Sequence, residues 1–292
     1  MATDEKRTTE AAGASRLPAG AIDAHVHLMP EELLGAIREA LAAQGGWAFD
    51  HPAQQAGIES VLREAGVERY LALPYAHRPG MAAELNEWVL RAASGSNMCT
   101  PFATVHAEDD VARVVRSAFE AGARGLKFQC PVQKCGPDDP RLDPAFELAS
   151  DYDRPIVFHA GTAPMFEDSP HVGSESFESF LESYPDVRAC GAHMGTYEVE
   201  AFRELVREHE NAFLDTTMAL SPRSPQYMDF DPATIADDTI EELSESIMYG
   251  SDFPNLPYSY AEERVGLLDR ELSAETYRDL FVETATRFLG EQ

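Results

Sequence analysis

Positive charge is what this chain has least of. Its 292 residues include 51 Asp and Glu against 23 Lys and Arg, a net charge of −28, and lysine occurs only at Lys6, Lys127 and Lys134. A surface of that sign repels phosphate backbones and anionic headgroups, so no nucleic acid and no membrane surface is expected as a partner. Cysteine is also scarce. Four residues with no CxxC pair cannot staple a chain of this length, and a reducing cytoplasm is the expected compartment. Cys130 and Cys135, four residues between them, read as loop residues rather than a redox or metal pair. No apolar run has membrane-spanning length, and no secretory hydrophobic segment precedes the first expected strand. Nor is there a GxGxxG after a strand, a GxxxxGK[ST] loop or a GxSxG elbow, which removes the usual nucleotide and serine-hydrolase chemistries.

What is present suits a large core: 44% of the residues are hydrophobic. Residues 1–18 are polar and read as a disordered tail, leaving 19–292 as a single domain. The acid is spread over expected helical faces at 175–183, 198–210 and 237–246. We read it as a solvated coat suited to high salt, where screening weakens self-repulsion.

Short β-rich runs alternate with amphipathic segments. Expected strands are 21–27, 68–74, 97–105, 123–129, 155–159, 187–193, 211–217 and 246–252. Helices are expected at 82–94, 109–122, 143–152, 175–184, 260–270 and 273–290, with Asp109, Asp143-Pro144 and Ser273 as starts and Gly95 and Gly122 as stops. Such a succession gives a mostly parallel sheet with helical crossovers, either an open doubly wound sheet or a closed (β/α)8 barrel. Two insertions rich in turn formers, 28–57 and 218–236, would follow strand ends and wall a pocket.

Spacing favours the barrel. His27 and His159 are 132 residues apart, four units of 33; His193 follows after 34 and Asp252 after a further 59, two shorter units. Each closes an apolar run, and His25 sits two residues before His27, on the same side of a regular strand. A single such histidine is most simply a hydrogen-bonded core residue. Four strand-end groups converging from strands one, five, six and eight need a partner or a metal.

The stretches DAHVH (23–27), VFHAG (157–161), AHMG (192–195) and YGSDFP (249–254), in this order, resemble the amidohydrolase superfamily. The branch is the amidohydrolase-related one that includes the aminocarboxymuconate-semialdehyde decarboxylase-like enzymes. The resemblance spans about 20–290 and implies a (β/α)8 TIM barrel. By it, His25, His27, His159 and Asp252 are metal ligands, and His193 lies beside the metal as a ligand or an orienting group. One Zn²⁺ is expected, with Mn²⁺ or Fe²⁺ as alternatives, and a homodimer is the implied assembly.

Lys127, within the fourth strand, is read as the holder of a substrate anion, with a carboxylated metal bridge or a structural ion pair as alternatives; Gln129 shares its face. His106 is a further substrate-binding candidate. Thr196, Tyr197, Glu198, Arg78, Arg141 and Arg223 are weaker ones. The main functional expectation is a hydrolase of small esters, lactones or amides that carry a carboxylate, with Asp252 as base and His193 stabilising developing charge. The alternatives are a non-oxidative decarboxylase of a small unsaturated or aromatic acid, and a metal-bound barrel without turnover.

Overall fold

All eight expected strands form, and all are parallel. The computed structural model describes residues 17–291, so most of the stretch read as a tail lies outside the described residues. Within it, Leu17 is buried in the main core. In chain order the elements are β1 (Ile22–Val26), α1 (Glu31–Gly45), α2 (Gln55–Glu64), β2 (Arg69–Ala72), α3 (Ala82–Ser94), β3 (Cys99–Pro101), α4 (Val111–Glu120), β4 (Leu126–Phe128), α5 (Cys130–Gln133), α6 (Asp143–Asp151) and β5 (Ile156–Phe158). There follow α7 (Ser174–Ser183), β6 (Ala189–Gly191), α8 (Val199–Glu208), β7 (Ala212–Asp215), α9 (Asp237–Glu242), β8 (Ile247–Met248), α10 (Tyr260–Leu268), α11 (Ala274–Arg278) and α12 (Thr284–Phe288).

Pairing runs β1-β2-β3 and β4-β5-β6-β7-β8. Two bridges join these arcs, Ala103 with Leu126 and Val26 with Phe253. Backbone bonds reinforce both seams: Lys127 N–H donates to Ala103 O at 2.8 Å and Ala24 N–H to Tyr249 O at 2.8 Å. The sheet therefore closes on itself as a (β/α)8 barrel, and the open alternative falls away. The paired strands are shorter than the apolar runs because each run continues as loop into the barrel mouth.

The helices cover the outside through apolar stripes. Along α4, Val111, Val114, Val115, Ala118 and Phe119 are buried at helical spacing. Its cap is Asp110, whose side chain accepts from Arg113 N–H. The expected starter, Asp109, instead accepts from Gly80 N–H at 2.6 Å, so its carboxylate is already committed to the neighbouring loop. Ser273 caps α11 as expected, but the single helix read over 273–290 is broken by a π turn at Asp279–Glu283.

Inside the barrel, Ile22, Leu71, Phe102, Val157 and Phe213 form a cluster with Phe288 and Leu289 of the C-terminal segment. That cluster fills the end where the strands begin. At β1 the register slips between Asp23 and Val26, three residues of β1 facing two of β2. Strict alternation breaks at this bulge. Ile22 and Ala24 join the inner cluster, Val26 joins the outer core, and Asp23 reaches outward to Tyr260 Oη of α10 at 2.9 Å.

Candidate metal centre

The strand ends deliver the polar side chains to one place. His25 and His27 come from β1 and the residue after it, His159 follows β5, His193 follows β6, Asp215 ends β7, and Asp252 lies beyond β8. The donor atoms of His25, His27 and Asp252 lie within 4.8 Å of one another. The Asp252 Oδ1 is 3.0 Å from His27 Nε2 and 3.4 Å from His25 Nε2. The His193 ring stands 5.2 Å from His25 and 4.7 Å from His159, centroid to centroid. His159 is outside the 4.8 Å set, although it belongs to the same ring of imidazoles.

Backbone and carboxylate partners fix the tautomers. His27 Nδ1 faces Leu73 O at 2.8 Å; a carbonyl only accepts, so Nδ1 carries a proton and Nε2 is the nitrogen turned toward Asp252. His25 Nδ1 faces Asp215 Oδ2 at 2.8 Å in the same way. Burial, assisted by the Lys127 ammonium, lowers the His25 pKa to about 4, so the ring is neutral near pH 7. The His25 Nε2 lone pair then points at a carboxylate oxygen, acceptor against acceptor, and neither His25 Nε2 nor either nitrogen of His159 has a hydrogen-bond partner among the described residues. An arrangement of this kind is unfavourable unless a cation lies among the donors. The residues fit a divalent ion, and together they make a divalent-metal-binding site.

Asp252 and Asp215 remain ionised although both are buried. Burial raises each carboxyl, but the neighbouring histidines outweigh it: His27 first at Asp252 and His25 first at Asp215 hold them below the usual carboxylate range. Asp215 also accepts from His193 N–H at 2.9 Å and from Thr217 N–H at 3.2 Å, tying β6 to β7. His193 itself has φ 58°, in a left-handed run that extends through Thr196. Such backbone is costly at non-glycine residues and persists only where the surroundings hold it. Gly250 is required beside His25: a Cβ there would stand 2.8 Å from His25 Cβ and 2.6 Å from Thr217 Oγ1.

Above these groups is a cavity that opens to solvent. His27, His159, His193 and Asp252 form its polar floor, and Trp47, Tyr75, Met165, Phe166, Met218 and Met228 supply much of its wall. Gln129 also lines it, with an unpartnered Oε1, as do Thr196 and Asn255. Lys127 does not. Its side chain is fully buried inside the barrel, where burial lowers its pKa, and its Nζ has no hydrogen-bond partner and no carboxylate within 4 Å among the described residues. His106 is also absent from the lining; its Nδ1 accepts from Glu108 N–H at 3.2 Å.

The weaker candidates divide similarly. Glu198 clasps the loop, accepting from Thr162 N–H and Ser174 N–H, each at 3.0 Å, and Tyr197 Oη accepts from Asp229 N–H. Arg141 pairs with Asp139 and Arg223 with Glu262, and none of Arg78, Arg141 and Arg223 lines the cavity. Cys130 and Cys135 are buried free thiols. Sequence reasoning passed over Asp215, although FLDTT carries the same signal as the other strands, a charged residue closing an apolar run. It also passed over Trp47, which no strand-end rule identifies.

A family model described as Amidohydrolase matches residues 22–290. No curated protein sequence matches the chain. Among solved structures, an uncharacterized TIM-barrel protein from Bordetella bronchiseptica superposes with a TM-score of 0.70 at 16% identity, covering 92% of this chain and 98% of that one. A 5-carboxyvanillate decarboxylase from Novosphingobium aromaticivorans with bound manganese gives 0.60 at 14% identity, over 95% of this chain and 98% of that one. A protein from Pseudomonas putida described as a 2-pyrone-4,6-dicarboxylic acid hydrolase gives 0.66 at 17% identity, over 94% and 98%. At these identities the likeness speaks for the fold, and the family match over nearly all the described residues speaks for descent. The chain belongs to the amidohydrolase family and is an amidohydrolase-related enzyme with a metal-binding site at the mouth of its barrel.

Proposed function

We propose that the protein is a metal-dependent, non-oxidative decarboxylase of a small aromatic or unsaturated acid, with His25, His27, His159 and Asp252 holding one divalent ion. The observation that carries this is the cavity lining: rings and thioethers surround the histidine floor, and among the described residues no Lys or Arg side chain lines it. A planar acid with one carboxylate fits such a site, its body against Trp47, Tyr75 and Phe166 and its charged end toward the floor. The Novosphingobium protein of the same fold is named as a decarboxylase of 5-carboxyvanillate, an aromatic acid with a second carboxylate, and carries manganese. Zn²⁺ suits the imidazole and carboxylate donors, and Mn²⁺ is the alternative that metal analysis would separate.

When bound, a divalent ion supplies positive charge that holds an anionic substrate and stabilises negative charge developing on it. The rest falls to the side chains. Gln129 and Asn255 orient the substrate from the wall. His193, the most exposed of the four centre imidazoles, delivers the proton to the ring or vinyl carbon. As that proton adds, the carbon–carboxylate bond breaks, CO₂ leaves, and the electron pair of the broken bond becomes the pair of the new C–H bond. Asp252, held ionised, orients His193 and the substrate.

Hydrolysis is the second reading, supported by the fold it shares with the Pseudomonas protein described as a dicarboxylic acid hydrolase. In that reaction Asp252 takes a proton from the attacking water. In either reaction the ion would meet one carboxylate, and the described lining residues include no Lys or Arg for a second. The deciding experiment incubates the metal-loaded protein in D₂O with muconate-like and hydroxybenzoate-like acids and, separately, with lactones and esters. Decarboxylation releases CO₂ and leaves one deuterium at the vacated carbon. Ring opening or ester cleavage without CO₂ would overturn the proposal in favour of hydrolysis.

A further inference from the structure

Beside the metal cavity lies a second, open depression between α1 and α5. The two spaces share one wall, made by Leu41, Tyr75, Val132 and Phe166. We infer that this groove is a subsite for the far end of the substrate, an apolar arm closed by an anionic group. This rests on the acid-binding reading above and extends it from a compact acid to an elongated one.

Three observations support the assignment. Leu33, Ile37 and Pro131 make the groove apolar along its length. Among the described residues no Asp or Glu lines it, in a chain that has 51, and the carboxylates of α1, Glu31, Glu32 and Glu39, lie outside the lining. Its titratable rim instead consists of Lys134 and His77.

The Lys134 charge is free for a ligand. No carboxylate lies within 4 Å of Lys134 or of Arg78, next to His77, among the described residues. Its backbone is fixed at φ 55°, where α5 ends, and Arg141 Nη2 donates to its carbonyl at 3.3 Å. Beyond Phe166 the sign reverses, since the adjoining cleft is lined by Glu167 and Asp168. On a molecule of charge −28, an anionic substrate meets repulsion from most directions, and a cationic rim on the groove gives it a favourable approach and a terminal contact.

The test compares para-hydroxybenzoate with its omega-carboxypentyl ether and with the methyl ester of that ether's terminal carboxylate. Binding is read from quenching of Trp47 in the metal-loaded protein, and turnover is followed separately. The wild type should bind the carboxypentyl ether at least roughly tenfold tighter than the parent acid, with the methyl ester between them. Lys134→Glu should remove the advantage of the free carboxylate over its ester. Ala40→Trp, which fills the groove, should remove the advantage of the whole arm.

Equal affinities in the wild type, or an arm advantage untouched by both variants, would overturn the subsite. So would a change of oligomeric state in the variants with the advantage intact, which would give the groove to a second copy of the chain. Because binding is measured apart from turnover, an arm advantage without CO₂ release would sustain the subsite and remove the decarboxylase reading, and CO₂ release without an arm advantage would do the reverse.

Discussion

Asp215 does for His25 what Leu73 O does for His27: it holds Nδ1 and leaves Nε2 for a cation. Asp215→Asn weakens that hold and frees the tautomer, so metal affinity is expected to fall roughly 10- to 100-fold with the barrel intact, as checked by competition with a chelator and circular dichroism. Buried carboxyls further out behave differently. Burial raises Glu263 to about 8, and it accepts from Met218 N–H and Tyr258 Oη, each at 2.7 Å. Burial likewise raises Asp23 to about 7. A carboxyl whose pKa is higher folded than unfolded binds more protons in the native state, so its stabilisation is complete below the unfolded value and disappears as pH rises through the folded one. His25, lowered to about 4, has the opposite slope, confined below its unfolded value of about 6.5. Between pH 6.5 and 8 the histidine contribution is over and that of the carboxyls remains, and the metal-free protein should lose stability across that window. Urea melts of Glu263→Gln should show a shallower decline, and an unchanged slope would remove Glu263 from the account. At this scale the sequence disclosed the residues that close apolar runs, His25, His27, His159, His193 and Asp252. It could not disclose which of them touch, nor that Lys127 lies beneath the cavity while Gln129 lines it, because the difference is one of depth along an inward-facing strand.

The eight strands were legible because a parallel barrel buries both faces of each and leaves continuous apolar runs. Helix α1 was not, since its segment in the turn-rich insertion carries little apolar periodicity and buries only Leu34 fully. Yet α1 and the chain just beyond it bring Leu41 and Trp47 to the cavity. The β1 bulge was also hidden, and without it His25 would alternate differently with His27. Loop β6–α8 depends on one close approach: a methyl added at Gly161 would collide with the backbone of Gly195. Gly161→Ala is therefore expected to cost about 1–3 kcal/mol and to displace His193, with turnover falling more than the melting temperature alone explains. Ser259 and Glu262 form a reciprocal cap at the start of α10. Ser259→Ala should lower stability by about 1 kcal/mol in denaturant melts and leave metal affinity unchanged, since the cap lies outside the metal centre.

For the molecule as a whole, a net charge of −28 means that folding concentrates like charges, and added salt relieves the repulsion as the Debye length falls from about 10 Å at 0.1 M to about 3 Å at 1 M. The denaturation midpoint should rise with KCl over this range, and a midpoint independent of salt would show that the acidic coat is energetically silent. Against that background the mouth of the barrel gathers imidazoles around the Asp252 carboxylate, a site for a divalent cation. The most direct measurement is equilibrium titration with Mn²⁺ followed by electron paramagnetic resonance, on the wild type and on His25→Ala and His27→Ala. The account predicts that the wild type takes up a single ion per chain at high affinity and that either substitution abolishes it. Uptake that survives both substitutions, or a wild type that binds no ion, would contradict it.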